Sequence, residues 1–78
     1  MSEVTVYTTT TCPYCVMVKD FLKETNIDFK EVNVETNPVI MQDLVRKTGQ
    51  MGVPQTKVNG QWVVGFDPMG IMQALGKQ

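Results

Sequence analysis

The stretch VTVYTTTTCPYCVMVKDFL, residues 4–22, carries the most informative pattern in this sequence. It starts with β-prone residues from Val4 to Tyr7, runs through four threonines and then reaches Cys12 and Cys15. The stretch therefore predicts a strand, a loop and a helix, with the cysteine pair where the helix begins. Apolar residues on one predicted helical face are Tyr14, Met17, Val18, Phe21 and Leu22.

Three further segments have the composition of β-strands. Residues 27–34 predict a second strand, with a bend or bulge because its apolar residues change phase midway. Residues 56–58 and 61–64 are β-prone runs on either side of Asn59-Gly60. Asn-Gly between two such runs is typical of a hairpin with a two-residue type I′ turn. The sequence therefore predicts four strands, and the last two are antiparallel.

Two more helices are marked by start and stop residues. Asn37-Pro38 is a cap and first-turn pair, and Gly49 is a stop signal, so a helix is predicted over about 38–48. Asp67-Pro68 starts a last helix that Gly76 ends. The predicted element order is therefore βαβαββα. A right-handed crossover makes the first two strands parallel, which gives an α/β fold with a mixed four-stranded sheet and three helices.

Composition and charge are those of an ordinary globular domain. The chain has 78 residues, 42% hydrophobic and 19% charged, so we expect a single domain over residues 1–78. A net charge of −1 with scattered Lys and Arg argues against a nucleic-acid partner. No apolar run approaches the roughly 20 residues that span a bilayer, and the start lacks a signal-peptide pattern. We therefore expect a cytoplasmic protein with no membrane partner.

The two cysteines are the candidate catalytic residues. Pro13 suits the first helical position, so Cys12 is expected at the helix N-terminus, where unpaired N–H groups and the helix dipole stabilise a thiolate and lower the thiol pKa. Cys12 would attack a substrate disulfide, and Cys15, one turn further on and more buried, would resolve the mixed disulfide. Cys-X-X-Cys beside a βαβ pattern is a thioredoxin-like redox signal.

Three other uses of a cysteine pair compete with redox catalysis. A structural disulfide that closes about four residues adds only about 2 kcal/mol, and cytosolic thiols are kept reduced. A structural zinc site within one chain needs four Cys or His ligands, whereas this chain has two Cys and no His, so no metal ligands are assigned. A dimeric iron–sulfur or metal carrier, with two thiolates from each chain, stays open as the alternative function.

The chain resembles a glutaredoxin over nearly its whole length. The resemblance rests on Cys12-Pro13-Tyr14-Cys15, Val53-Pro54 and Gly65-Phe66-Asp67, and it extends to small bacterial glutaredoxin-like proteins of the YruB type and to NrdH-type redoxins, which serve ribonucleotide reductase. It implies the thioredoxin fold and a monomeric thiol-disulfide oxidoreductase that acts on protein or low-molecular-weight disulfides in cell redox homeostasis. It also implies glutathione as a candidate co-substrate. We expect no tightly bound cofactor, and either glutathione or a thioredoxin-reductase-type flavoenzyme as electron donor.

The resemblance further implies which residues bind the substrate. Pro54 is implied to be cis and opposite the dithiol, with the Val53 backbone paired to the substrate's cysteine. Many glutaredoxins have Lys at the position of Thr9, Thr at that of Gly52 and an acidic residue at that of Pro68, so we expect weak glutathione affinity. The implied substrate- or glutathione-binding residues are Thr9, Pro13, Tyr14, Gln50, Val53, Pro54, Gly65, Phe66 and Asp67.

Two aromatic residues of the last hairpin and turn have different expected roles. Trp62 is expected to pack within the hairpin instead of contacting a partner, since aromatic residues commonly pack on strand faces. Phe66 is expected to form part of an exposed docking surface beside the dithiol.

Overall fold

The computed structural model describes residues 3–50 and 52–76. Within these ranges the elements follow the predicted order βαβαββα, and none of the helices has the length and apolar character needed to cross a membrane. The strands are β1 (Val4–Thr8), β2 (Lys30–Asn33), β3 (Gln55–Val58) and β4 (Gln61–Val64), and the helices are α1 (Pro13–Glu24), α2 (Pro38–Thr48) and α3 (Pro68–Ala74).

The four strands form one mixed sheet in the order β2-β1-β3-β4. β1 is parallel to β2 and antiparallel to β3, and Tyr7 lies opposite Gln55. β3 and β4 form the antiparallel hairpin. At its turn, Asn59 and Gly60 have φ angles of 51° and 87°. Two successive positive φ angles are the backbone of a type I′ turn, so the predicted hairpin and the mixed sheet are both confirmed.

The main core lies between one face of the sheet and the helices α1 and α3. Burial alternates along β1, as expected for a strand with one face turned inward. On the other face, the rings of Tyr7 and Trp62 lie 5.4 Å apart, and Lys57 Nζ lies 5.6 Å from the Trp62 ring centroid. Trp62 thus packs on the sheet, as predicted. The main core consists of Val4, Val6, Val18, Leu22, Val58, Val63 and Ile71.

The second strand is shorter than the predicted range of residues 27–34. β2 has only four residues, and Ile27 and Phe29 precede it. Both side chains pack against the main core from the segment between α1 and β2. The apolar phase changes because Ile27 and Phe29 belong to a loop, so the predicted bend or bulge is not needed.

The buried face of α1 also differs from the predicted one. Cys15, Val18 and Leu22 are the buried residues of this helix. Tyr14 and Met17 are 61% and 43% exposed. Each precedes a buried residue and is therefore turned about 100° around the helix from it. The position of Cys15 on the inward face explains why Tyr14 and Met17 lie outside.

Each helix begins with a proline directly after its N-cap residue. Asn37 is the N-cap of α2, as predicted, but its side chain makes no capping bond and its Nδ2 donates instead to the Asn33 carbonyl oxygen at 2.7 Å. Gly49 ends α2 in the left-handed conformation with φ of 71°. A β-carbon is disfavoured in that conformation, which is why glycine commonly follows a helix.

Candidate active site at the dithiol

Cys12 is the N-cap residue of α1, immediately before Pro13. Its backbone is extended, with φ −148° and ψ 99°, and its Sγ accepts a hydrogen bond from the N–H of Cys15 at 3.2 Å. Pro13 has no N–H, so the first helical position adds no unpaired donor. Sulfur at this position faces helix N–H groups and the positive end of the helix dipole, which together stabilise a thiolate.

Cys15 is the buried member of the pair. Its exposed fraction is 1%, whereas Cys12 is partly exposed. The two sulfur atoms are joined in a disulfide, and the Cα atoms are 5.2 Å apart. Among the residues that the structure describes, no group of three or more His, Cys, Asp or Glu side chains is placed to hold a metal ion. A substrate that approaches the pair meets Cys12 first.

The Val53–Pro54 segment lies beside Cys12. Its peptide bond is cis, as the resemblance implies. The carbonyl oxygen of Val53 is 3.9 Å from Cys12 Sγ, and Pro54 is fully buried. The carbonyl oxygen of Pro54 accepts a hydrogen bond from the Gly65 N–H at 2.8 Å. The dithiol, the cis proline and the turn after β4 are therefore parts of one site.

The turn from Gly65 to Asp67 connects β4 to α3. Gly65 has φ of 80°, a conformation that suits glycine, and Phe66 is 37% exposed. Asp67 is the N-cap of α3, and its Oδ1 accepts a hydrogen bond from the Gly70 N–H at 3.1 Å. A β-carbon on residue 70 would lie 2.9 Å from Asp67 Cγ, so glycine leaves room for the carboxylate. The Asp67 side chain is thus engaged with its own helix.

Three other predicted site residues lie in segments that flank these groups. Thr9 is partly exposed directly after β1, Tyr14 is exposed in the first turn of α1, and Gln50 is exposed after α2. In residues 3–50 and 52–76, no hydrogen bond joins these side chains to either cysteine, and the Cys12 sulfur has Cys15 N and Val53 O as its polar neighbours. Their contribution to binding stays a prediction.

Gln55, directly after Pro54, is a site residue that the sequence did not reveal. Its side chain is fully buried, and Nε2 donates hydrogen bonds to the carbonyl oxygens of Gln50 at 3.0 Å and Gly52 at 2.8 Å. The only available signal was a glutamine between a proline and a β-prone run. That signal does not say which face of the strand is buried.

A cluster of three polar residues lies at the end of β1, the strand that leads to Cys12. The buried Thr8 donates its hydroxyl to Glu31 Oε2 at 3.0 Å, and Lys19 Nζ pairs with the same oxygen at 3.0 Å. The hydrogen bond from Lys19, together with that from Thr8, holds the pKa of Glu31 below its ordinary value. The cluster joins β1, β2 and α1, and so helps to fix the start of the dithiol loop.

Comparison with known proteins agrees with this geometry. The glutaredoxin family model matches residues 4–63. The chain is 35% identical to a glutaredoxin of Pseudomonas aeruginosa, over 99% of this chain and 92% of that protein. It is 30% identical to glutaredoxin 3 of Escherichia coli, over 97% of this chain and 92% of that protein. The solved structure of NrdH-redoxin from Escherichia coli is similar with a TM-score of 0.83 at 27% identity, over 91% of this chain and 92% of that one.

The sheet order, the cysteine pair at a helix N-terminus and these similarities lead to the same conclusion. The chain belongs to the glutaredoxin family, has the thioredoxin-like α/β fold of that family, and is a thiol-disulfide oxidoreductase with a Cys12-Pro13-Tyr14-Cys15 motif.

Proposed function

We propose that the protein reduces disulfides of proteins or low-molecular-weight compounds by a dithiol mechanism. Cys12 is the nucleophile and Cys15 is the resolving thiol. The observation that supports these roles is the difference between their environments. Cys12 is partly exposed at the N-cap of α1, whereas Cys15 is 1% exposed one turn later.

The reaction is a pair of thiol-disulfide exchanges. The Cys12 thiolate attacks one substrate sulfur, the substrate S–S bond breaks, and the other substrate sulfur leaves as a thiolate that takes a proton from water. The Cys15 thiolate then attacks the Cys12 sulfur of the mixed disulfide and expels the second substrate thiolate. The product is the Cys12–Cys15 disulfide that the structure contains, and a donor must return two electrons to renew the dithiol.

Val53 is the proposed guide for the substrate. Its carbonyl oxygen lies beside the Cys12 sulfur, and Pro54 next to it has no N–H to offer. An extended substrate segment that pairs with the Val53 backbone would bring its cysteine close to Cys12. The exposed rings of Tyr14 and Phe66 are proposed to contact apolar side chains of the substrate. Pro13, Gly65 and Asp67 are proposed to shape the rest of the binding surface.

Glutathione is proposed to be a weak co-substrate. Thr9 supplies no cation, Gly52 no hydroxyl, and Pro68 neither a carboxylate nor an N–H. The Asp67 carboxylate, the remaining candidate for the glutamyl amine, already accepts a bond from Gly70. We therefore propose that a thioredoxin-reductase-type flavoenzyme also reduces the dithiol. The thioredoxin-like activity profile described for the similar NrdH-redoxin of Escherichia coli supports this, and ribonucleotide reductase is a proposed recipient of electrons.

Single-cysteine variants test the mechanism. Cys12→Ser should abolish disulfide reduction, whereas Cys15→Ser should still attack but accumulate a mixed disulfide, because only the resolving step is lost. Mass spectrometry after mixing with oxidised substrate should locate the adduct on Cys12. An adduct on Cys15 in the Cys12→Ser protein, formed at the rate of the first exchange, would reverse the assignment.

Anaerobic purification of the full chain distinguishes this enzyme from the iron–sulfur or metal carrier. A colourless, metal-free protein that reduces disulfides supports the enzyme. Visible absorption with stoichiometric iron in a dimer would support the carrier, since clusters are held by four thiolates. The molecular mass of the protein in the same preparation tests the further proposal that it is a monomer. We also propose that it functions in the cytoplasm, where thiols are kept reduced, and cell fractionation tests that location.

A further inference from the structure

Gln55 is a polar residue in an unusual position. Its side chain is fully buried at the first position of β3. Its neighbour Thr56 faces the side of the sheet that carries Val6 and Val63, so Gln55 faces the opposite side with Tyr7 and Val64. Burial of a carboxamide is unfavourable unless its polar atoms find partners. Gln55 Nε2 finds two partners in the main chain before the cis proline, whereas the buried Gln55 Oε1 has no hydrogen-bond partner among the described residues.

The partners of Gln55 are the carbonyl groups of Gln50 and Gly52, here called the two pre-proline carbonyls. The Gly52 carbonyl points to Gln55 Nε2 at 2.8 Å, and the next carbonyl, that of Val53, points to Cys12 Sγ at 3.9 Å. The Gly52 carbonyl group and the Val53 N–H belong to one planar trans peptide unit and point in opposite directions. A rotation that turned the Gly52 carbonyl group outward would therefore turn the Val53 N–H inward, away from a substrate that pairs with the Val53 backbone.

Side-chain packing does not fix the orientation of the Gly52 carbonyl group. Gly52 is exposed, and a β-carbon there would contact nothing within 4 Å, so no packing fixes its backbone. Glycine has access to more backbone conformations than any other residue, which adds to the freedom of this segment. Two hydrogen bonds from one buried amide are therefore a direct restraint on the segment that carries Val53.

We propose that Gln55 is a positioning residue for substrate capture: by fixing the two pre-proline carbonyls, it presents the Val53 backbone to a peptide disulfide. This inference rests on the proposed function, because it assigns Val53 the role of guide. Gln55 does not touch the reacting sulfur atoms. Its loss should weaken reactions that use backbone pairing and leave intact the exchange with a disulfide too small to pair with Val53.

Two activated disulfides with the same leaving group separate these effects. The reduced full-length protein is mixed with ethyl 2-pyridyl disulfide, or with a hexapeptide whose central cysteine carries the same thiopyridyl group, and release of thiopyridone is followed by absorbance. Gln55→Met keeps the length of the side chain and removes its donors. It should lower the second-order rate constant for the peptide about tenfold and that for the ethyl compound by less than about twofold, since each lost hydrogen bond is worth on the order of 1 kcal/mol.

Thr56→Val serves as the matched control. It changes the adjacent residue, which is equally buried and whose hydroxyl has no hydrogen-bond partner among the described residues. This variant should keep the wild-type ratio of the two rate constants. Equal losses for both disulfides in Gln55→Met, or no loss for the peptide, would overturn the role of Gln55.

Hydrogen exchange in the wild-type protein provides a test that does not need a folded variant. The side-chain amide protons of Gln55 should exchange at least about tenfold more slowly than those of Gln42, an exposed glutamine of α2. Equal exchange rates would overturn the inference. A wild-type protein that reacts with neither disulfide would contradict the proposed function instead, so the two failures are distinguishable.

Discussion

Thr9 stands three residues before Cys12, where many glutaredoxins have a lysine. A nearby ammonium group favours the thiolate over the neutral thiol, so Thr9→Lys should lower the pKa of the Cys12 thiol. Without an ammonium group at position 9, the N-terminus of α1 must provide most of the stabilisation of the Cys12 thiolate. Ultraviolet absorbance of the thiolate during a pH titration, in a Cys15→Ser background with only one thiol, measures the change.

Thr9→Met is the control for the Thr9→Lys titration, because it lengthens the side chain without adding charge. It should leave the Cys12 pKa close to that of the parent protein. If Thr9→Lys also gives no change, the side chain at position 9 does not point toward the sulfur, and the resemblance to lysine-containing glutaredoxins would not extend to this position.

At the scale of residues, local signals revealed the cysteines but not Gln55. Pro13 after Cys12, and a helical pattern after Pro13, suffice to place Cys12 at an N-terminus because helix starts are determined by a few neighbouring residues. The role of Gln55 depends on the strand face it occupies and on the approach of the Gln50 and Gly52 carbonyl groups to its side chain. Secondary-structure propensity predicts neither feature. The restraint that the buried Gln55 side chain places on the loop is therefore visible only in the three-dimensional structure.

Replacing Gly70 of helix α3 by Ala should not give the gain in stability that this substitution usually brings. Gly→Ala inside a helix ordinarily stabilises it by about 1 kcal/mol. At position 70, however, the new methyl group would lie 2.9 Å from Asp67 Cγ and displace the N-cap, a loss of about 1 kcal/mol. Gly70→Ala should therefore bring no gain in the free energy of unfolding, which urea denaturation measures.

The double-mutant cycle with Asp67→Ala isolates the cause. In that background the cap is already absent, so Gly70→Ala should stabilise the protein by about 1 kcal/mol, and the coupling between the two sites should be of similar size. If Gly70→Ala had the same effect in both backgrounds, the contact between residue 70 and the Asp67 carboxylate would be irrelevant to stability.

The ion pair between α1 and β2 predicts a pH dependence of stability. Lys19 lowers the pKa of Glu31 from its ordinary 4.5, so the pair stabilises the fold above that pH and is lost as the pH falls through the lower folded value. Glu31 is 41% exposed, which limits the contribution to less than about 1 kcal/mol. Urea unfolding from neutral pH to pH values below 4.5 should show a smaller loss of stability in Glu31→Gln than in wild type.

Salt provides the control for the Glu31 pair, because ions screen a partly exposed pair. The difference between wild type and Glu31→Gln at neutral pH should shrink as sodium chloride is added. Identical acid profiles for the two proteins would mean that the hydrogen bonds to Glu31 do not persist in solution.

At the scale of elements, the sequence predicted what short-range chemistry determines. Prolines after N-caps gave the helix starts, and Asn59-Gly60 gave the hairpin, because both are set by adjacent residues. The sequence-based prediction was wrong at the start of β2. Ile27 and Phe29 are apolar because they pack against the main core, but they lie before the strand. Apolar character alone does not distinguish a strand from a loop packed on the same core.

At the scale of the whole molecule, topology assembles the site from distant segments. β1 and β3 are antiparallel with Tyr7 opposite Gln55, so the end of β1, which leads to Cys12, lies beside the start of β3, which follows Pro54. Val64 lies opposite Gln55, which brings Gly65 to the same end of the sheet. Element order allowed a mixed sheet to be predicted, but this register joins residues far apart in sequence and has no local signal.

The choice of electron donor is a property of this assembled end of the sheet. We expect the oxidised dithiol to be reduced by NADPH with a bacterial thioredoxin reductase, and only slowly by glutathione with glutathione reductase, because the side chains at positions 9, 52 and 68 offer glutathione few contacts. Turnover of one disulfide substrate in the two coupled assays measures the preference. A potential between the thioredoxin and glutaredoxin values, roughly −270 to −200 mV, would allow either donor thermodynamically, so contacts must decide.

Restoring the missing groups tests that explanation for the donor preference. Thr9→Lys combined with Pro68→Asp supplies a cation and a second acidic residue, and it should raise turnover with glutathione while changing turnover with thioredoxin reductase much less. Backbone pairing at Val53 is common to both donors in this scheme, since main-chain hydrogen bonds do not depend on those side chains. Efficient turnover with glutathione in the wild type, and none with thioredoxin reductase, would show that the absent side chains are dispensable and that Val53 alone captures glutathione.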